Sequence, residues 1–152
     1  MMQSSSSGQQ EAAWLINMLM YYGCFYYNTF MVVEEPEGNL YPDAQKWIVE
    51  MIALYINRGN RAIITTHSPY VLGAINNLLY AAEVAPCAER DLIIPREEVI
   101  PVDEVCSYYL SRTEVKNAVL DGLIDNSLID GASDTINSVN DDLMGIKLGG
   151  MR

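Results

Sequence analysis

The spacing of apolar positions changes several times between residues 9 and 82, and each change predicts an element. Trp14, Leu15, Met18, Leu19, Tyr22, Phe25 and Tyr26 recur at three- and four-residue intervals, which predicts a helix over residues 9–27 with a wide apolar stripe. Ser6 or Ser7 can cap it, with Gln9 or Gln10 reaching back. Residues 29–33 form a short apolar run, β-branched and aromatic, cut off by charge; they predict a strand buried on both faces. The acidic turn Glu34-Glu35-Pro36-Glu37-Gly38-Asn39 leads to Pro42-Asp43, a favoured helix start. Trp47, Ile48, Met51, Ile52, Leu54 and Tyr55 carry that helix to Asn57, and Arg58-Gly59-Asn60 stops it. Residues 61–66 predict a second strand of the same kind, and Pro69 opens a third helix that runs to Ala82.

Helices alternating with short apolar strands argue for βαβ units, a parallel sheet and the α/β class. After Ala85-Pro86 the pattern breaks up. Strands are predicted at residues 99–100, 105–110 and 114–120, the last two as an antiparallel pair around Ser111-Arg112, and a terminal helix at 131–144. The apolar stretch 12–33 is long enough to span a bilayer. Asn17, Gly23 and Asn28 interrupt it and no basic residues flank it, so a buried helix followed by a strand, with no membrane partner, is the expectation.

Composition narrows the function classes. A chain of 152 residues fits one domain. Half of it is hydrophobic and 19% is charged, which excludes a disordered tail or a linker. Twenty acidic residues oppose nine basic ones, for a net charge of −11. The three lysines, Lys46, Lys116 and Lys147, do not cluster, so direct binding to a phosphate backbone is not expected of this chain. Cys24, Cys87 and Cys106 are far apart and form no CxxC pair, which suits free thiols in a reducing cytoplasm.

Three segments bear chemistry. Ser5-Ser6-Ser7-Gly8-Gln9 lies at a helix start, where N–H groups and the dipole suit a phosphate; it also fits a polar tail with a serine cap. Glu34 and Glu35 end a strand, the place where ligands bind in open α/β sheets. One carboxylate there can hold Mg²⁺ through water and the next can polarise an attacking water. An acidic surface turn is the alternative. His67, the chain's only histidine, ends the second strand; it can contact a γ-phosphate or serve as a structural residue ahead of the next helix.

Taken in order, the three segments resemble the carboxyl-terminal half of an ABC-type ATPase head. They are most similar to the ABC-like AAA ATPases that include the overcoming-lysogenization-defect nucleases and many bacterial defence ATPases. The resemblance covers roughly residues 4–80. It rests on Ser5-Ser6-Ser7-Gly8-Gln9 as signature loop, on the strand running into Glu34-Glu35-Pro36-Glu37-Gly38-Asn39-Leu40-Tyr41-Pro42, and on Thr65-Thr66-His67-Ser68-Pro69 as switch.

The resemblance implies a partial P-loop NTPase fold: a mostly parallel sheet with flanking helices, closed by a small β-rich segment over 83–152. It implies Glu34 as the acid on the magnesium shell, Glu35 as the general base and His67 as the switch near the γ-phosphate. Ser6, Ser7, Gly8 and Gln9 would bind the γ-phosphate of ATP held by the opposite subunit of a homodimer, with Asn39 in the contact loop. ATP and Mg²⁺ are the implied ligands.

No G-x-x-x-x-G-K-[ST] loop occurs in the sequence, so nothing in it cradles the α- and β-phosphates. The expectation is a single partial ATPase domain over 1–152, with signature, acidic strand and switch in 4–82: a carboxyl-terminal fragment, a split-gene half or a truncated form that lacks its N-terminal Walker A half. One sheet edge or face would then be bare. Two other readings share the motifs: a regulatory or dimerisation module without catalysis, and a head of a DNA-associated SMC or repair machine whose DNA or effector contacts lie in other parts.

Overall fold

A computed structural model describes residues 7–88 and 93–127, and beyond them residues 131, 137–139, 141, 143 and 144. The described elements, in order, are α1 (Ser7–Phe25), β1 (Phe30–Glu34), α2 (Pro42–Asn57), β2 (Arg61–Thr65) and α3 (Pro69–Val84), then four short strands: β3 (Tyr108–Leu110), β4 (Val115–Asn117), β5 (Val119–Leu120) and β6 (Leu123–Ile124). The helix predicted at 131–144 lies largely outside the described residues.

The β1-α2-β2 unit is the heart of the fold. β1 and β2 pair in parallel, in the register Phe30↔Arg61 to Glu34↔Thr65. Asn60 fixes that register from the amino end. Its buried side chain accepts from the Thr29 N–H (2.9 Å) and Thr29 Oγ1 (2.7 Å) and donates to the Tyr55 carbonyl (3.1 Å). α2 begins with Pro42 in its first turn and ends at Asn57; the Gly59 N–H donates to the Ile56 carbonyl, and Gly59's φ of 83° then turns the chain toward β2.

Two cores meet on α2. Leu19 of α1, Met31 and Val33 of β1, and Ile48, Ile52 and Tyr55 of α2 form one. Val49 and Ala53 of α2, with Val71, Leu72, Ala74, Leu78 and Leu79 of α3 and Ile100, Ala118 and Ile124 from the last third, form the other. α1 and α2 therefore cover the same face of the parallel pair.

No described element covers the opposite face: Phe30 is 57% exposed, Val32 58% and Ile63 50%. The sequence predicted strands buried on both faces; the alternating burial of β1 corrects this to one buried face. The continuous apolar run cannot distinguish the two cases, since Phe30 and Val32 carry the same character as Met31 and Val33.

The predicted mostly parallel sheet is likewise reduced. Among the described residues there is one parallel pair, and β3-β4 and β5-β6 are separate antiparallel hairpins. The β3-β4 hairpin was legible around Ser111-Arg112. The β5-β6 hairpin was not, because residues 114–120 read as one strand. Asp121 and Gly122, at φ 50° and 82°, make the tight turn that a two-residue hairpin requires. Residues 99–100 form no strand; Ile100 is nonetheless buried against α3. The stripe on α1 is narrower than predicted. Leu19 is buried and Leu15 and Tyr22 pack against its core, while Trp14, Met18, Phe25 and Tyr26 stay exposed. No described helix is long and apolar enough to cross a membrane.

Candidate active site at the carboxyl ends of the parallel strands

β1 and β2 end side by side, and the turns that follow them are tied together. Glu34 pairs with Thr65 across the ladder, and the Glu35 N–H donates to the Thr65 carbonyl (2.8 Å). Glu35 then takes a φ of 45°, a left-handed conformation costly for a side chain of its kind, which reverses the chain sharply. The turn closes through Gly38 N–H to the Glu35 carbonyl and Leu40 N–H to the Glu37 carbonyl, both at 2.9 Å.

This reversal points successive carboxylates in different directions. Glu34 and Glu35 stay exposed, while Pro36 and Glu37 turn inward. Glu34 and Glu35 stand at the mouth of a cleft of about 340 Å³ between α1 and the outer edge of β1, whose walls include Leu15, Met18 and Val32. Glu35 Oε1 lies 3.5 Å from His67 Nδ1. The acid and the histidine singled out in the sequence thus face each other, on turns that only the parallel pairing brings together.

Glu37 is the residue that sequence reasoning passed over. Its side chain is 5% exposed. Oε1 accepts from Thr66 Oγ1 (2.6 Å) and from the His67 N–H (3.1 Å), and lies 3.6 Å from His67 Nδ1. Oε2 is buried and has no hydrogen-bond partner among the described residues. A second clasp lies behind it. Buried Gln45 donates to the Leu40 carbonyl (3.0 Å) and accepts from Ser68 Oγ (2.6 Å). Ser68 caps α3 through the Tyr70 and Val71 N–H groups. The one available signal for Glu37 was its position, three residues past the strand, opposite the Thr66-His67 turn; in sequence it is one more acid in an acidic run.

The amino end of α1 sits on the same turn. Gly8 is buried, and a Cβ there would overlap the Asn39 carbonyl oxygen, with the Asn39 carbonyl carbon and Cβ at 2.8 and 2.9 Å. Gly38 has Glu11 Oε2 near the space a side chain would fill. Ser7 and Gln9 are exposed on either side of Gly8. Ser6 lies outside the described residues. All three predicted segments therefore converge: the first turn of α1 rests on residues 38–39, and Glu37 of that turn holds residues 66–67.

Among the described residues no group of three or more His, Cys, Asp or Glu side chains could hold a metal by themselves. Exposed carboxylates at Glu34 and Glu35 fit a Mg²⁺ ion that takes one or two protein ligands and keeps water or phosphate for the rest.

A family model described as an AAA ATPase domain matches residues 2–72, a span containing all three segments. No curated protein and no solved structure matches the chain. Residues 2–72 are thus similar to an AAA ATPase domain, and the α/β arrangement of residues 7–72 is compatible with that similarity.

Proposed function

We propose that residues 2–72 supply the hydrolytic side of an ATPase head whose phosphate-cradling loop lies outside these 152 residues. The observation that carries the reading is the 3.5 Å approach of Glu35 to His67 at the carboxyl ends of a parallel strand pair. Glu35 is the general base: its carboxylate is exposed, held by a fixed backbone turn, and able to take a proton from a water aimed at the γ-phosphate. His67 lies beside it with Nδ1 toward the carboxylates, which leaves Nε2 for a phosphate oxygen. Glu34 would hold Mg²⁺, which when bound would supply charge neutralisation at the phosphates. Ser6, Ser7, Gly8 and Gln9 form a signature loop that meets ATP on the opposite subunit. Gly8 serves this by letting α1 seat on Asn39, which leaves its neighbours Ser7 and Gln9 at the surface.

These 152 residues contain no P-loop, so the reading requires an N-terminal Walker A half that brings one. ATP turnover in the complex of this chain with a P-loop-bearing half of an ABC-type head tests it. Glu35→Gln should lower turnover by roughly 10²–10⁴-fold, the ordinary worth of a general base, while ATP remains bound. Turnover within threefold of the unaltered complex would refute the role of Glu35.

A further inference from the structure

We propose that Glu37 is a positioning residue for His67: a buried carboxylate that clamps the second turn to the first and selects the ring nitrogen presented to a ligand. The role in turnover rests on the reading of His67 given above; the clamp itself does not.

Three contacts of one oxygen make the argument. Glu37 Oε1 accepts from Thr66 Oγ1 at 2.6 Å and from the His67 backbone N–H at 3.1 Å, and faces His67 Nδ1 at 3.6 Å. The first two fix the backbone from which the imidazole projects. Thr66 Oγ1 passes the constraint on by accepting from the Ser68 N–H (3.0 Å), the residue that caps α3. The imidazole itself is three-quarters exposed, so little packing holds it. What faces it is charge: Glu35 Oε1 on one side and Glu37 Oε1 on the other, both nearest Nδ1. Both carboxylates are acceptors and both lie nearest Nδ1, so a proton on that nitrogen is the favoured neutral form, which leaves Nε2 for a ligand.

Glu37 Oε2 is buried and has no hydrogen-bond partner among the described residues, which stability alone would not favour. A carboxylate oxygen sealed from water without a donor is unfavourable, and an apolar residue of similar volume would avoid that cost. An acid at this position is therefore explained by what Oε1 holds.

The test is nuclear magnetic resonance on the chain without nucleotide, so its failure is separate from failure of the ATPase reading. His67 is the only histidine, and one pair of ring-nitrogen signals reports it. With the imidazole neutral, the chain should carry the proton on Nδ1. Glu37→Ala should shift it toward the Nε2–H form that free imidazole side chains favour. The His67 amide should then exchange at least about tenfold faster, while core amides at Val49 and Ala53 keep their rates. Glu37→Leu fills the same buried space without an acceptor and should behave like Glu37→Ala. Glu37→Gln keeps an acceptor oxygen and should restore amide protection to within about threefold.

A folded Ala or Leu variant whose tautomer population and His67 amide protection match those of the unaltered chain would overturn the proposal. So would an Nε2–H form in the unaltered chain. Loss of the fold in both the Ala and Leu variants would also overturn it, by making Glu37 a residue of the fold rather than of the site.

Discussion

Gly8 offers the sharpest test of how the site is assembled, because its replacement pits helix propensity against a backbone contact. Alanine is about 1 kcal/mol better than glycine inside a helix, and less so in a first turn. At Gly8 the added methyl would land on the carbonyl of Asn39, with main-chain and Cβ atoms inside 3.0 Å. Backbone cannot swing aside as a side chain can, so α1 must lift or the 35–39 turn must shift. Such overpacking costs about 1–3 kcal/mol. The net effect of Gly8→Ala is a loss of about 1–2 kcal/mol, which lowers the midpoint of thermal unfolding by about 2–8 °C in a domain of this size.

Gly73, in the middle of α3, supplies the internal control. It has no positive φ and no atom within 4 Å of an added Cβ, so Gly73→Ala should raise the midpoint by about 2–4 °C. Both variants are followed by far-ultraviolet circular dichroism, with amide exchange at Gly38 reporting the turn. A Gly8→Ala midpoint that rises alongside that of Gly73→Ala would refute the seating of α1 on Asn39, and with it the convergence of the three segments.

Other consequences follow from single residues. Ser68→Ala removes the α3 cap and strands Gln45 Oε1, so it should cost about 1–3 kcal/mol, measured by urea unfolding; a change below 0.5 kcal/mol would contradict the clasp. Burial raises the Glu98 carboxyl above the usual glutamate range, with Glu50 and Glu97 adding repulsion and Lys46 opposing them. The folded chain therefore binds that proton more tightly than the unfolded chain, and stability falls as pH rises from the ordinary glutamate value through the raised one. Glu98→Gln should unfold at a higher temperature than the parent at pH 7 and at the same temperature below roughly pH 4. Equal midpoints at both pH values would contradict it.

The order of the first five elements was legible because each carries an unambiguous period, and α2 begins and ends where Pro42 and the Arg58-Gly59 stop put it. α1 and α3 differ from the predicted spans by two residues at one or both ends. What the sequence misjudged depends on tertiary context. Phe30 and Val32 have the character of core residues and face outward, because no described element covers that side. β4 and β5 were merged into one predicted strand over 114–120, and the Asp121-Gly122 turn after it went unread although its turn chemistry was present.

At the site, Glu35 and His67 were legible as residues, and their 3.5 Å approach came only with the parallel register. Glu37 was not legible as a site residue. Local sequence shows an acid among acids, and only the left-handed turn at Glu35 sends this one inward while its neighbours stay in water.

The central claim is that this chain acts on a nucleotide it does not itself cradle. Calorimetric titration of Mg-ATP tests it most directly, with Glu35→Gln throughout to block turnover, into the chain alone and into its mixture with a P-loop-bearing half of an ABC-type head. The account requires stoichiometric binding in the mixture, tighter than to the P-loop half by itself, and no saturable binding to the chain alone. Stoichiometric binding to the chain alone, or a mixture no tighter than the P-loop half, would contradict it.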